Sequence, residues 1–92
     1  MRKLLLSAAV AAGLLAIAGQ AAAAPTCTKE PKAKWLSEAQ MKAKIAQMGY
    51  TVKVFQVSGS CYEIYGKTKD GKKAEVYFNP VDGKIVRNNE DD

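Results

Sequence analysis

The sequence predicts an α+β fold: one α-helix packed on a three- to four-stranded antiparallel meander sheet, preceded by a cleaved signal peptide. A cationic start and an apolar run fill the first 23 residues. A segment with helical spacing and capping residues at both ends follows at 37–49. Beyond Gly49, short alternating runs are separated by turns rich in Gly, Asp and Ser.

The leader comes first. Met1-Arg2-Lys3 precedes an apolar run from Leu4 to Gly19, then Gln20 and four alanines. A membrane span needs roughly 20 strongly apolar residues, and this run is both shorter and alanine-rich. Small residues at −3 and −1 and the obstacle of Pro25 place the cut between Ala23 and Ala24. The expected mature chain is periplasmic or secreted and does not span a membrane. Cys27 follows Ala24-Pro25-Thr26, which is not a lipid-attachment pattern.

Of the 92 residues 48% are hydrophobic, but the leader holds 17 of those 44 residues. The other 69 residues are 39% hydrophobic, enough for one small core. The net charge of +5 falls to +3 once Arg2 and Lys3 are removed. Its lysines are scattered and not interleaved with aromatics, so nucleic acid is not an expected partner. There is no histidine, which removes the commonest general base and the commonest metal ligand.

Cys27 and Cys61 are the two cysteines, too far apart for a CxxC redox motif. In an oxidising compartment they are expected to form one intramolecular disulfide. A dimer linked through Cys27 is the alternative. The intramolecular bond closes a 35-residue loop, for which the chain-entropy model gives roughly 3–4 kcal/mol.

Residues 24–34, with two prolines and little periodicity, read as an extended tether held by Cys27. Ser37-Glu38-Ala39-Gln40 matches a capping box, with Leu36 and Met41 at the staple positions. The helix is expected to reach Met48, with Gly49 in the left-handed position after it. Met41, Ile45 and Met48 form its apolar stripe. The expected strands are 50–57, 61–68, 72–79 and a short 84–86, giving a domain at 35–88. The acidic tail 89–92 is expected to be mobile.

The middle hairpin admits two registers. A three-residue loop with a Gly71 bulge pairs Thr68 with Lys72 and sets Ile64 against Val76 and Tyr62 against Phe78. It keeps apolar with apolar and is the expected arrangement. In the first strand Phe55 and Val57 are assigned to the core, and a bulge near Lys53-Val54 would let Val52 join them. One helix covers one sheet face. The other face, bearing Cys61, Glu63, Tyr65, Glu75 and Tyr77, is expected to lie open. Glu63, Tyr65, Glu75 and Tyr77 are its candidate partner surface, though a merely solvated face has the same composition. The sheet edges offer a second route, by strand addition.

These segments resemble the PepSY family, closest to its small secreted stand-alone members. The resemblance rests on Met48-Gly49-Tyr50, on the run from Gly59 to Tyr65, on Lys69-Asp70-Gly71-Lys72 with Glu75-Val76-Tyr77, and on the run from Asn79 to Val86. It covers residues 27–88. Asn79 stands where aspartate is frequent in the family, and Asp82 where threonine is common. The resemblance implies a non-catalytic domain that inhibits or regulates peptidases, or binds partners at the cell surface. It supplies no catalytic residues to transfer.

The residues agree with that implication. Ser58 and Ser60 lack a histidine base. Glu63 and Glu75, on an open face, would have no reason to differ in acidity. Asp82-Gly83 lacks the alternating oxygen ligands of a calcium loop. No enzyme activity, metal or cofactor is expected. Three readings follow: a protein-binding module acting on a peptidase or envelope protein, an accessory or sensory domain for a small ligand or membrane protein, and a self-associating structural domain. A monomer is favoured.

Overall fold

The computed structural model describes residues 23–91. The signal-peptide assignment to residues 1–23 falls almost wholly outside them. An extended N-terminal segment and a 3₁₀ turn at Lys32–Lys34 lead into helix α1, Glu38–Gln47. Four strands follow: β1 Thr51–Ser58, β2 Cys61–Lys67, β3 Lys73–Phe78 and β4 Ile85–Asp91. They form one antiparallel sheet in the order β1-β2-β3-β4, a meander.

Local chemistry accounts for α1. Ser37 Oγ accepts from the Gln40 amide at 3.1 Å, and Gln40 Oε1 accepts from the Ser37 amide at 2.9 Å, closing the capping box. Glu38 and Lys42 add an i,i+4 ion pair at 2.7 Å, exposed and worth about 0.3–0.5 kcal/mol. At the far end Gly49 takes φ +97°, a conformation that spares glycine the Cβ clash.

Met41 and Ile45 are fully buried against Tyr62, Ile64, Ala74, Val76 and Phe78. Met48 departs from the expected stripe: it caps the helix and is 40% exposed, because the chain turns away at Gly49. Trp35 packs edge-on to Tyr62 at 5.3 Å between centroids, and Tyr50 edge-on to Phe78 at 6.4 Å. The Tyr62 hydroxyl donates to Leu36 O at 2.7 Å, tying the sheet to the entry of α1.

The hairpin register is the apolar-with-apolar one, with Tyr62 opposite Phe78, Glu63 opposite Tyr77 and Ile64 opposite Val76. Its loop is closed by Thr68 N–H to Lys72 O at 2.9 Å and Gly71 N–H to Thr68 O at 3.0 Å. In β1 the register shifts between Val52 and Val54, and both Val52 and Phe55 pack on the core. Val57 does not. It lies on the core side, opposite Tyr62, but at an edge strand beyond the helix, and is 47% exposed.

The bulge dictates one residue on β2. A Cβ at Gly66 would strike the Thr51 carbonyl oxygen and sit 3.2 Å from Val52 Cα. These obstacles are backbone atoms, so a side chain cannot swing away to make room. Gly66→Ala is therefore expected to cost about 3 kcal/mol, the upper part of the overpacking range, read as a lower urea midpoint at unchanged m-value.

The fourth strand is longer than expected. The acidic tail does not hang free: Asn89, Glu90 and Asp91 pair with Glu75, Ala74 and Lys73 of β3. The unpaired edge of β3 accounts for this, since its amides and carbonyls need partners and the tail is the chain available to them.

Candidate functional site

Alternation along the strands puts two rows on the sheet face away from α1. One runs Val54, Tyr65, Glu75, Asn89 across the four strands, and the next runs Gln56, Glu63, Tyr77, Arg87. Beyond them lies Cys61, opposite Ser58. The four candidate residues Glu63, Tyr65, Glu75 and Tyr77 are thus neighbours on one face. That face, however, is not open throughout.

Cys61 is bonded to Cys27, with Cα atoms 5.1 Å apart. The bond draws residues 23–28 over the sheet as a strap. Ser60 Oγ accepts from the Cys27 amide at 2.8 Å, and Pro25 O lies 3.1 Å from Cys61 Sγ. Ala24 packs on the cluster of Cys27, Cys61 and Tyr77. Arg87 Nη1 donates to Ala23 O at 3.1 Å while its guanidinium lies 5.7 Å from the Tyr77 ring centre. In consequence Tyr77 is 5% exposed, and Glu63 opposite it is 2% exposed, which corrects the expectation of an uncovered face. The signal for this was present in the sequence: Cys61 has outward parity, so its partner must bring the tether over that side.

The rest of the face remains accessible. A groove of about 760 Å³ opens at the end of the sheet, its wall including Lys53, Tyr65, Lys67, Lys73, Glu75 and Asn89. Tyr65 and Glu75 thus line an open groove, and Glu63 and Tyr77 lie buried beside it.

These four side chains form one polar cluster. Glu75 Oε2 accepts from the Tyr65 hydroxyl at 3.1 Å and from the Tyr77 hydroxyl at 3.0 Å. Glu63 Oε1 accepts from Gln56 Nε2 at 2.8 Å, while Glu63 Oε2 is buried with no hydrogen-bond partner among the described residues. The adjoining Glu63 carboxyl, then the hydrogen bonds from Tyr77 and Tyr65, hold the Glu75 carboxyl below its ordinary value despite burial. The Tyr65 hydroxyl is pushed up to about 12, first by its bond to Glu75 and then by the charge of Glu63. Burial and the Glu75 bond push Tyr77 higher still. The two carboxylates therefore sit in unlike surroundings, contrary to the expectation drawn from an open face. Among the described residues no three His, Cys, Asp or Glu side chains are grouped to hold a metal.

Over residues 6–89 the sequence matches the family PepSY_2, described as the peptidase propeptide and YPEB domain. The chain belongs to the PepSY family. Searches of curated proteins and of solved structures return no match. The two positions that depart from the usual PepSY pattern keep their local work. Asn79 Oδ1 accepts from the Val81 amide at 2.8 Å and Asp82 Oδ1 from the Lys84 amide at 2.9 Å. An aspartate at 79 would offer an equivalent Oδ, and a threonine hydroxyl at 82 would make the corresponding turn bond more weakly. No helix among the described residues of this PepSY chain is long and apolar enough to cross a membrane.

Proposed function

We propose that this chain is an exported, non-catalytic PepSY binding module that engages a peptidase, or another cell-envelope protein, through the groove walled by Tyr65 and Glu75. The family supports the peptidase link, since its description is that of a peptidase propeptide. The observation that carries the reading is Tyr65 itself. It is 43% exposed at the groove wall, with its hydroxyl held by Glu75, so a partner can bury the ring with little further ordering. The free edges of β1 and β4 supply strand-addition sites on either side.

A second reading has one observation in its favour. The groove volume of about 760 Å³ falls within the roughly 300–1,000 Å³ typical of small-molecule sites. On that reading the chain is an accessory or sensory domain.

The test begins with affinity capture by the oxidised chain from a cell-envelope extract, followed by an inhibition assay on any peptidase retained. Tyr65→Ala is expected to weaken binding to that peptidase by at least tenfold, about 1.4 kcal/mol, while the chain stays folded at the assay temperature. Equal affinity for both forms would remove the groove from the account. Tyr77→Ala is a poor probe, because it removes the ring beneath the strap. A small ligand would reveal itself by raising the melting temperature with no protein partner present.

A further inference from the structure

We propose that Glu63 and Glu75 hold one proton between them at neutral pH, Glu63 Oε2–H donating to the Glu75 carboxylate, and that this proton fixes Tyr65 at the groove wall. The orphaned oxygen motivates the proposal. Glu63 is 2% exposed; its Oε1 is satisfied by Gln56, and its Oε2 is shut off from water with no hydrogen-bond partner among the described residues, the nearby Tyr65 and Tyr77 hydroxyls both being given to Glu75. Its diagonal neighbour on the same face is Glu75, whose Oε2 already takes two tyrosine hydroxyls. Two ionised carboxylates side by side repel, and an unpaired charge on the buried Glu63 is costly. One shared proton removes both penalties and leaves a single delocalised charge, stabilised by the tyrosines.

The surroundings favour a proton over a larger cation. From β1 the cluster meets uncharged Gln56, with Lys53 at the groove. From β2 it meets Tyr65 and Lys67, from β3 Tyr77 and Lys73, and from β4 Arg87, Asn89 and Asp91. The strap residues 23–27 bring no charged side chain. Arg87 is engaged with Tyr77 and Ala23, and no ion pair among the described residues reaches either glutamate. Glu63 Oε2 is closed off from solvent, so a proton suits it and a hydrated metal ion does not.

The sign of the pH dependence follows. The folded chain would bind one proton more than the unfolded chain at neutral pH, so stability falls as pH rises through the step at which the pair loses it. Two other contributions lie outside that window. Glu75, held below 4.5, contributes stability that is present above that value and lost as pH falls. Tyr65, raised from 10.0 to about 12, contributes stability that is lost as pH rises between those values. Cleavage before Ala24 would put an α-amino group on the strap that titrates at about 8, so in the uncleaved chain, which has none there, a decline between about pH 5 and 9 belongs to the pair.

Carboxyl ¹³C NMR titration of the full chain, with melting temperatures recorded across the same pH range, tests this. The wild type is expected to show a carboxyl step well above that of the exposed Glu30 and Glu38, with the Tyr65 ring resonances and the melting temperature moving together across it. In Glu63→Gln an amide donates to Glu75 at every pH, so that step is lost and the melting temperature is level from about pH 5 to 9. Both glutamates titrating with Glu30, or a wild-type slope persisting in Glu63→Gln, overturns the proposal. Should Glu63→Gln not fold, the wild-type titration decides alone. Only the consequence for Tyr65 rests on the groove reading. No partner enters this experiment, so its failure is separate from failure of the peptidase test.

Discussion

Replacing Cys61 with serine is expected to lower the unfolding free energy by roughly 3–4 kcal/mol, with reduction of the wild type doing the same. The loop closed by the disulfide has a sequence separation of 34, and its loss returns that freedom to the unfolded chain. The folded state suffers as well. The strap is otherwise secured by the Cys27 hydrogen bond, by a small apolar cluster and, before any cleavage at Ala23, by the Arg87 bond to Ala23 O. With the covalent link gone, Tyr77 loses the cover that keeps it from water. A stability of roughly 0.05–0.15 kcal/mol per residue would leave a domain of this size little reserve. Urea unfolding with and without a dithiol measures the effect, and the double alanine variant at Cys27 and Cys61 separates it from the consequences of a free thiol. Coincident oxidised and reduced curves would show that packing alone holds the strap.

The second large effect is expected at Phe78. Its ring is fully buried at the centre of the core, against the edge of Tyr50 and opposite Tyr62 across the sheet. Phe78→Ala removes the ring contacts and leaves a cavity that the sheet backbone cannot collapse to fill, costing about 3–5 kcal/mol. Val57→Ala is the matched control. Val57 lies in the same cross-strand row, opposite Tyr62, but is 47% exposed, and its loss should cost under about 1 kcal/mol. Urea midpoints for the two variants check the contrast. Similar costs would mean that the core extends to the edge of β1.

The proton proposal bears on the binding reading in a specific way. Tyr65 at the groove wall is hydrogen-bonded to Glu75, and Glu75 is backed by Glu63. A partner surface assembled on such a chain would weaken as the shared proton leaves. Affinity measured over the same pH range, beside the spectroscopic titration, would show whether the two are linked.

Much of the architecture was legible because its causes are short-range. Ser37 and Gln40 cap the helix through bonds three residues apart, and the hairpin register follows from matching Ile64 to Val76 and Tyr62 to Phe78. The bulge in β1 was readable from the change of apolar parity at Lys53-Val54. The PepSY likeness rests on the same turns and strands, which is why it was visible without a structure.

What escaped that reading depends on contacts distant in sequence. Val57 and Met48 have suitable apolar side chains, but how far α1 extends over the sheet governs whether anything packs on them. The acidic tail has no strand signature; it becomes β4 because β3 presents an unsatisfied edge. The burial of Tyr77 arises from a bond between residues 34 positions apart, which lays an otherwise unstructured tether across the second face. Neighbouring residues thus settled which elements form and how the hairpin pairs. Covering of the second face, and with it the chemistry of the Glu63–Glu75 cluster, arose only when long-range packing excluded water from particular side chains.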